Sequence, residues 1–142
     1  YVLVNNGTNP LGRNYRVNKC AGYLMHDYPD LTPRLSNSCP RLDEDELFYF
    51  DNTCRDFILR NDSGCNIPDV NDPAIASHQE CIYFIGGHFG YGGFVGQHFG
   101  DADYLTSEWR VYLGRPVEMW DNRTDRIELR DSNNRLVDSY SY

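Results

Sequence analysis

Three histidines, His78, His88 and His98, fall at ten-residue steps, with Glu80, Asp101 and Asp103 close by. Neutral imidazoles and a carboxylate together hold zinc or non-haem iron with one position open, the arrangement that activates water for hydrolysis. Ligands on one helical face need i and i+4 spacing, and ten-residue steps miss it. A secreted metal-dependent hydrolase built on the His- and Gly-rich segment 78–103 therefore stands as the alternative function. Asp43 and Glu46 suit glycoside hydrolysis only where a fold carries them to a cleft. At the start of a helix they oppose the positive end of its dipole, and that structural reading is the stronger. Asp121, Asp125 and Asp131 lack the glycine and closing glutamate of a calcium loop, and turns favour Asp on their own account. No G-x-S-x-G elbow, H-E-x-x-H pair or P-loop lysine occurs. The sequence thus assigns no catalytic, cofactor-binding or metal-binding residue and no cofactor, and predicts a protein that is not an enzyme.

Sulfur chemistry is the more informative signal. Cys20, Cys39, Cys54, Cys65 and Cys81 form no C-x-x-C pair, which argues against a zinc ribbon or a thioredoxin-like site. Four cysteines alone allow three connectivities. Pairing neighbours, Cys20 with Cys39 and Cys54 with Cys65, closes short loops worth roughly 2 to 4 kcal/mol each. Cys81 is then left over, packed as a small hydrophobe or linked to a second chain. Disulfides imply an oxidising compartment, so the expected location is extracellular or cell surface. Asn6, Asn61 and Asn122 begin N-x-S/T sequons, which carry meaning only in a eukaryotic secretory chain.

A net charge of -8 and a pI near 4.8 exclude a sequence-independent grip on nucleic acid, which needs clustered cations. Lys19 is the only lysine, and the arginines are interspersed with carboxylates, as on a solvated face. Aromatic residues make up 14% of a chain whose mean hydropathy is -0.63, so burial must be concentrated in rings. No apolar run is long enough to span a bilayer. The first residues lack the basic start and long apolar stretch of a signal peptide, so a targeting segment is expected to be absent or removed.

These residues must be positioned by elements that the periodicity predicts. Residues 1–13, with Asn9-Pro10 turn chemistry, read as an extended arm or linker. Val17, Cys20, Ala21, Leu24 and Tyr28 share a helical face that Pro29 ends. Leu47, Phe50, Cys54, Phe57 and Ile58 give a second helix, capped by Asp51 or Asn52. Ser77 and Glu80 have capping-box spacing and open a third, with Cys81, Phe84, Ile85 and His88 on its buried side. Glycines from 86 to 100 lack the strand and helix of a nucleotide loop and suit close packing or a broken helix. Beyond residue 107 the pattern alternates: Trp109, Val111 and Leu113, then Ile127 and Leu129, then 136–142 predict three strands, with a tight turn at 131–134. The fold class is α+β: short disulfide-stapled helices (14–106) packed on a C-terminal antiparallel β-unit (107–142), one domain over 14–142.

Glu108-Trp109-Arg110-Val111-Tyr112-Leu113-Gly114-Arg115, Trp120, and then Ile127, Leu129, Asp131, Val137, Asp138 and Tyr142 carry a resemblance to the closing strands of bacterial lamin-tail-like domains. There a tryptophan precedes a hairpin of the form I-x-L-x-D-x-x-G-x-x-V-D and an aromatic-ended strand. Asn134 stands where that family has glycine, a substitution that asparagine's tolerance of positive φ accommodates. The Cys-bearing front resembles cysteine-rich regions of uncharacterised surface proteins of small-genome bacteria, and that likeness implies a partner for Cys81 at the position of Phe94. The resemblance implies a binding or anchoring module on exported proteins. The expected function is a non-enzymatic extracellular binding or assembly module, self-associating as a surface or filament subunit. Its partners would be proteins, including its own copies, met through Tyr104, Tyr112, Tyr140 and Tyr142.

Overall fold

The computed structural model describes residues 1–142 except 6, 8, 116, 118 and 122. It is a mixed α+β structure with two small sheets and two disulfides. The strands are β1 (Val2–Asn5), β2 (Tyr15–Asn18), β3 (Leu105–Tyr112), β4 (Arg126–Arg130) and β5 (Leu136–Ser141). The helices are α1 (Leu24–Asp27), α2 (Asn52–Asn61), α3 (Gln79–His88) and α4 (Tyr91–His98), with 3-10 turns at Ala21–Tyr23 and Glu44–Leu47.

The stretch read as an arm is part of the fold. β1 pairs parallel with β3, and β2 pairs antiparallel with its other side, giving the order β1-β3-β2. Front and back of the chain are thus interleaved in one sheet, instead of a helical front packed on a stranded back. Val17 belongs to β2, so the first predicted helix shrinks to α1 and the turn before it. Pairing with β3 overrides the helical spacing there, since strand geometry satisfies the backbone through a distant partner that periodicity does not reveal.

Two apolar clusters hold the body. Val17, Ala21, Leu24, Leu31 and Leu35 pack beside the three-stranded sheet, with Tyr15 and Tyr112 against them. Tyr23, Leu47, Phe57, Ile58, Ile75, Ile85 and Phe94 form the larger one, around the sulfurs. Tyr23 and Phe94 stack with centroids 4.7 Å apart. Arg110, within β3, has its side chain buried, bonded to Glu108 at 2.7 Å and to the carbonyls of Pro33 and Arg34.

The cysteine pairing differs from neighbour-to-neighbour closure. Cys39 bonds Cys65 and Cys54 bonds Cys81, while Cys20 is a buried thiol that burial pushes up to about 11. Cys81 is therefore bridged within the chain. Phe94, the position where the likeness placed its partner, lies wholly in the core. The physical reason is that helices meet side by side: Cys54 in the first turn of α2 faces Cys81 in the first turn of α3, at a Cα separation of 5.7 Å. Gly22 makes room for the other bridge; a Cβ there would overlap Cys65 Sγ and the carbonyl of Ser36.

Helix ends follow local chemistry in part. Asp51 caps α2, its side chain accepting from Cys54 N, and Asp43 caps the 3-10 turn that holds the acidic run. The Ser77–Glu80 capping box does not form: α3 starts after His78 without a side-chain cap. Gly90, at φ +91°, breaks the glycine-rich stretch into α3 and α4.

Candidate functional site

Two regions of the surface carry chemistry that packing does not use. The first is the hairpin of β4 and β5. Its register places Ile127 opposite Tyr140, Leu129 opposite Asp138 and Glu128 opposite Ser139, closing through a turn in which Asn134 has φ +63°. Directly paired residues share a face, so Ile127, Leu129 and Tyr140 line one side, with the Asp138 carboxylate beside Leu129 on that same, mainly apolar side. Arg126, Glu128 and Arg130 line the other, where Glu128 bridges Arg126 at 2.8 Å and Arg130 at 2.7 Å. The apolar side is not covered: Tyr140 is 65% exposed and Leu129 49%. Two outward N–H groups of this hairpin are met locally, Ser139 N donating to Asp138 Oδ1 and Arg126 N to Asp125 Oδ1, each at 2.8 Å.

Of the four tyrosines expected to make contacts, Tyr140 and Tyr142 are exposed on or beside β5, their rings 5.8 Å apart. Tyr104 is half-buried against the larger core cluster, and Tyr112 packs on the smaller one, stacked on Tyr15 at 6.5 Å. These two serve the fold, because both precede or end strands pinned to the body. The sequence signal missed here was the exposed pair Phe48 and Tyr49, which follow the acidic turn in an edge-to-face contact at 5.6 Å.

The second region is a cleft of about 280 Å³ between the starts of α2 and α3, lined by Tyr49, Phe50, Asp51, Ser77, His78 and Glu80. His78 Nε2 lies 3.1 Å from Asp51 Oδ2, and Ser77 Oγ lies 3.2 Å from His78 Nδ1. The three histidines do not converge. His88 faces Glu46 at 3.4 Å and takes the Phe84 carbonyl through Nδ1. His98 faces Asp101 at 2.9 Å, and Asp101 and Asp103 both bind Lys19, which holds their carboxyls below the usual range. Among the described residues no three His, Cys, Asp or Glu side chains are grouped so as to hold a metal ion.

Other carboxylates do turn chemistry. Asp121 accepts from Arg123 N, and Asp131 from Asn133 N, Arg135 N and the Arg135 side chain, which holds the Asp131 carboxyl below the usual range. Asn61 donates to the Phe57 carbonyl within α2, while Asn6 and Asn122 lie outside the described residues. Among the described residues no helix is long and apolar enough to cross a membrane. No family model matches the chain, and no similar curated protein or solved structure was found.

Proposed function

We propose that this chain is an extracellular binding or assembly module whose docking element is the apolar face of the C-terminal hairpin. One observation carries the reading: a two-stranded hairpin with Leu129 and Tyr140 exposed on one side and a paired charge row on the other. Such a hairpin is marginal in water unless something covers its apolar side. The two disulfides support an oxidising compartment. The paired strands and the Asn134 turn support the lamin-tail-like reading of the last quarter, and with it an anchoring role.

The first partner is a second copy. Residues 123–142 carry four arginines (Arg123, Arg126, Arg130, Arg135) against four carboxylates (Asp125, Glu128, Asp131, Asp138), so the whole -8 resides in the remainder. Hairpin-to-hairpin contact therefore meets the least like-charge repulsion. Strands of five and six residues present less than the ~800 Å² per partner of a stable pair, so single contacts are weak and gain strength through repetition. Light scattering across a concentration series tests this. The mass should rise above 16.5 kDa with concentration, and Leu129→Lys with Tyr140→Ser should return it to that value. A constant monomer mass at millimolar protein removes the self-assembly reading.

A further inference from the structure

We propose that Ser77 is the nucleophile of an acyl-transfer site, with His78 as its general base and Asp51 holding His78, acting on neutral esters. This activity goes beyond the docking role and rests on a different part of the molecule. The geometry supplies the parts in order. Asp51 Oδ1 is fixed by Cys54 N at 2.9 Å, which leaves Oδ2 for His78 Nε2 at 3.1 Å. With the proton on Nε2, the Nδ1 lone pair faces Ser77 Oγ at 3.2 Å. The imidazole is turned end for end relative to the common serine-hydrolase arrangement, but either nitrogen relays a proton. The Cys54–Cys81 bridge ties the first turns of α2 and α3 together where Asp51 and His78 meet.

The start of α3 adds electrophilic help. Its first N–H groups have no intrahelical acceptor, and no side chain caps them. They can meet the oxygen on which charge develops. Tyr49 and Phe50 offer rings for an apolar substituent, whereas Asp51 and Glu80 repel anions, so the substrate class is an uncharged ester.

In the reaction, His78 Nδ1 takes the Ser77 proton as Oγ bonds to the carbonyl carbon and the C=O pair moves onto oxygen. The pair returns, the C–O bond to the alcohol breaks, and His78 gives that oxygen its proton. Water then attacks the acyl-serine, its proton passing through His78 to Ser77 Oγ, and the acid leaves. Ester and water become acid and alcohol, with no other reactant.

The test uses the oxidised full chain with 4-nitrophenyl acetate and a fluorophosphonate. The fluorophosphonate should add its mass to the peptide bearing Ser77, a result that needs no variant. Ser77→Ala should abolish ester turnover, and His78→Ala should slow it about 10²-fold or more. Asp51→Asn keeps an acceptor for Cys54 N, so α2 stays capped. It should lower kcat at least ~10-fold with KM unchanged, the split expected of a group that orients the base. Labelling spread over other serines, labelling that persists in His78→Ala, or wild-type turnover by Ser77→Ala overturns the proposal.

Discussion

The stapled body and the C-terminal hairpin use the same residue types to opposite ends. In the body, aromatic rings and sulfur converge: Tyr23, Phe94 and Phe57 surround two bridges, and the side chains lose nearly all contact with water. In the hairpin, Tyr140 and Leu129 face solvent while backbone pairing and the Arg126–Glu128–Arg130 row supply the order. A small polar chain has limited apolar surface to bury, and here the two clusters of the body take it, the larger one closed covalently. The hairpin face is left for an external surface.

The comparison breaks most severely with reduction. Each bridge spans 26 or 27 residues, a closure worth about 3.5 kcal/mol, so Cys54→Ala should cost the body that much in urea unfolding. Hydrogen exchange in β4 and β5 should be unchanged by it. Gly22→Ala leaves every cysteine in place, but its methyl would overlap the Cys39–Cys65 bridge, so it should cost about 3 kcal/mol. A loss under ~1 kcal/mol, of the size a helix propensity change gives, would mean the bridge is not packed on that backbone.

A subtler probe is Asp62, buried at the end of α2 with one oxygen accepting from Leu42 N and the other unpartnered. Burial raises its pKa above the ordinary 3.8, so the folded state binds the proton more tightly than the unfolded chain. Its contribution to stability is present below that ordinary value and is lost as pH rises through the raised one. Asp62→Asn keeps the Leu42 bond and should stabilise the protein at pH 7 by about 1 kcal/mol, with a flatter stability curve above pH 4. Equal pH dependence in the two proteins would show that Asp62 does not titrate with folding.

The smallest effect on folding, and the sharpest on the contrast, is expected in the hairpin. Leu129→Lys should change the melting free energy by less than ~0.5 kcal/mol, because the site is solvated. Self-association should nonetheless weaken in light scattering. A large drop in stability would instead place Leu129 against the body.

Legibility followed locality. A helix cap at Asp51 or Asn52 and the strands around Ile127 and Tyr140 depend on neighbours within a few residues and were readable, whereas the glycines from 86 to 100 allowed close packing or a broken helix without marking Gly90 as the break. That Tyr104 and Tyr112 are half-buried could not be read, because alternation reports which face a side chain takes, not whether another element covers it. The Ser77–His78 contact is adjacent in sequence, yet its meaning depends on Asp51, 27 positions from His78 and brought near only by the packing of α2 on α3.

What the chain's order of residues settled by itself was therefore short-range: caps, turns, strand alternation, acidity and the use of disulfides. Tertiary structure decided which cysteines meet, that Val2–Asn5 joins β3 across more than a hundred residues, and which aromatics stay outside. The reason is physical. Local hydrogen bonding is encoded within a turn of backbone, whereas sulfur pairing, sheet order and burial depend on where distant segments come to rest against one another.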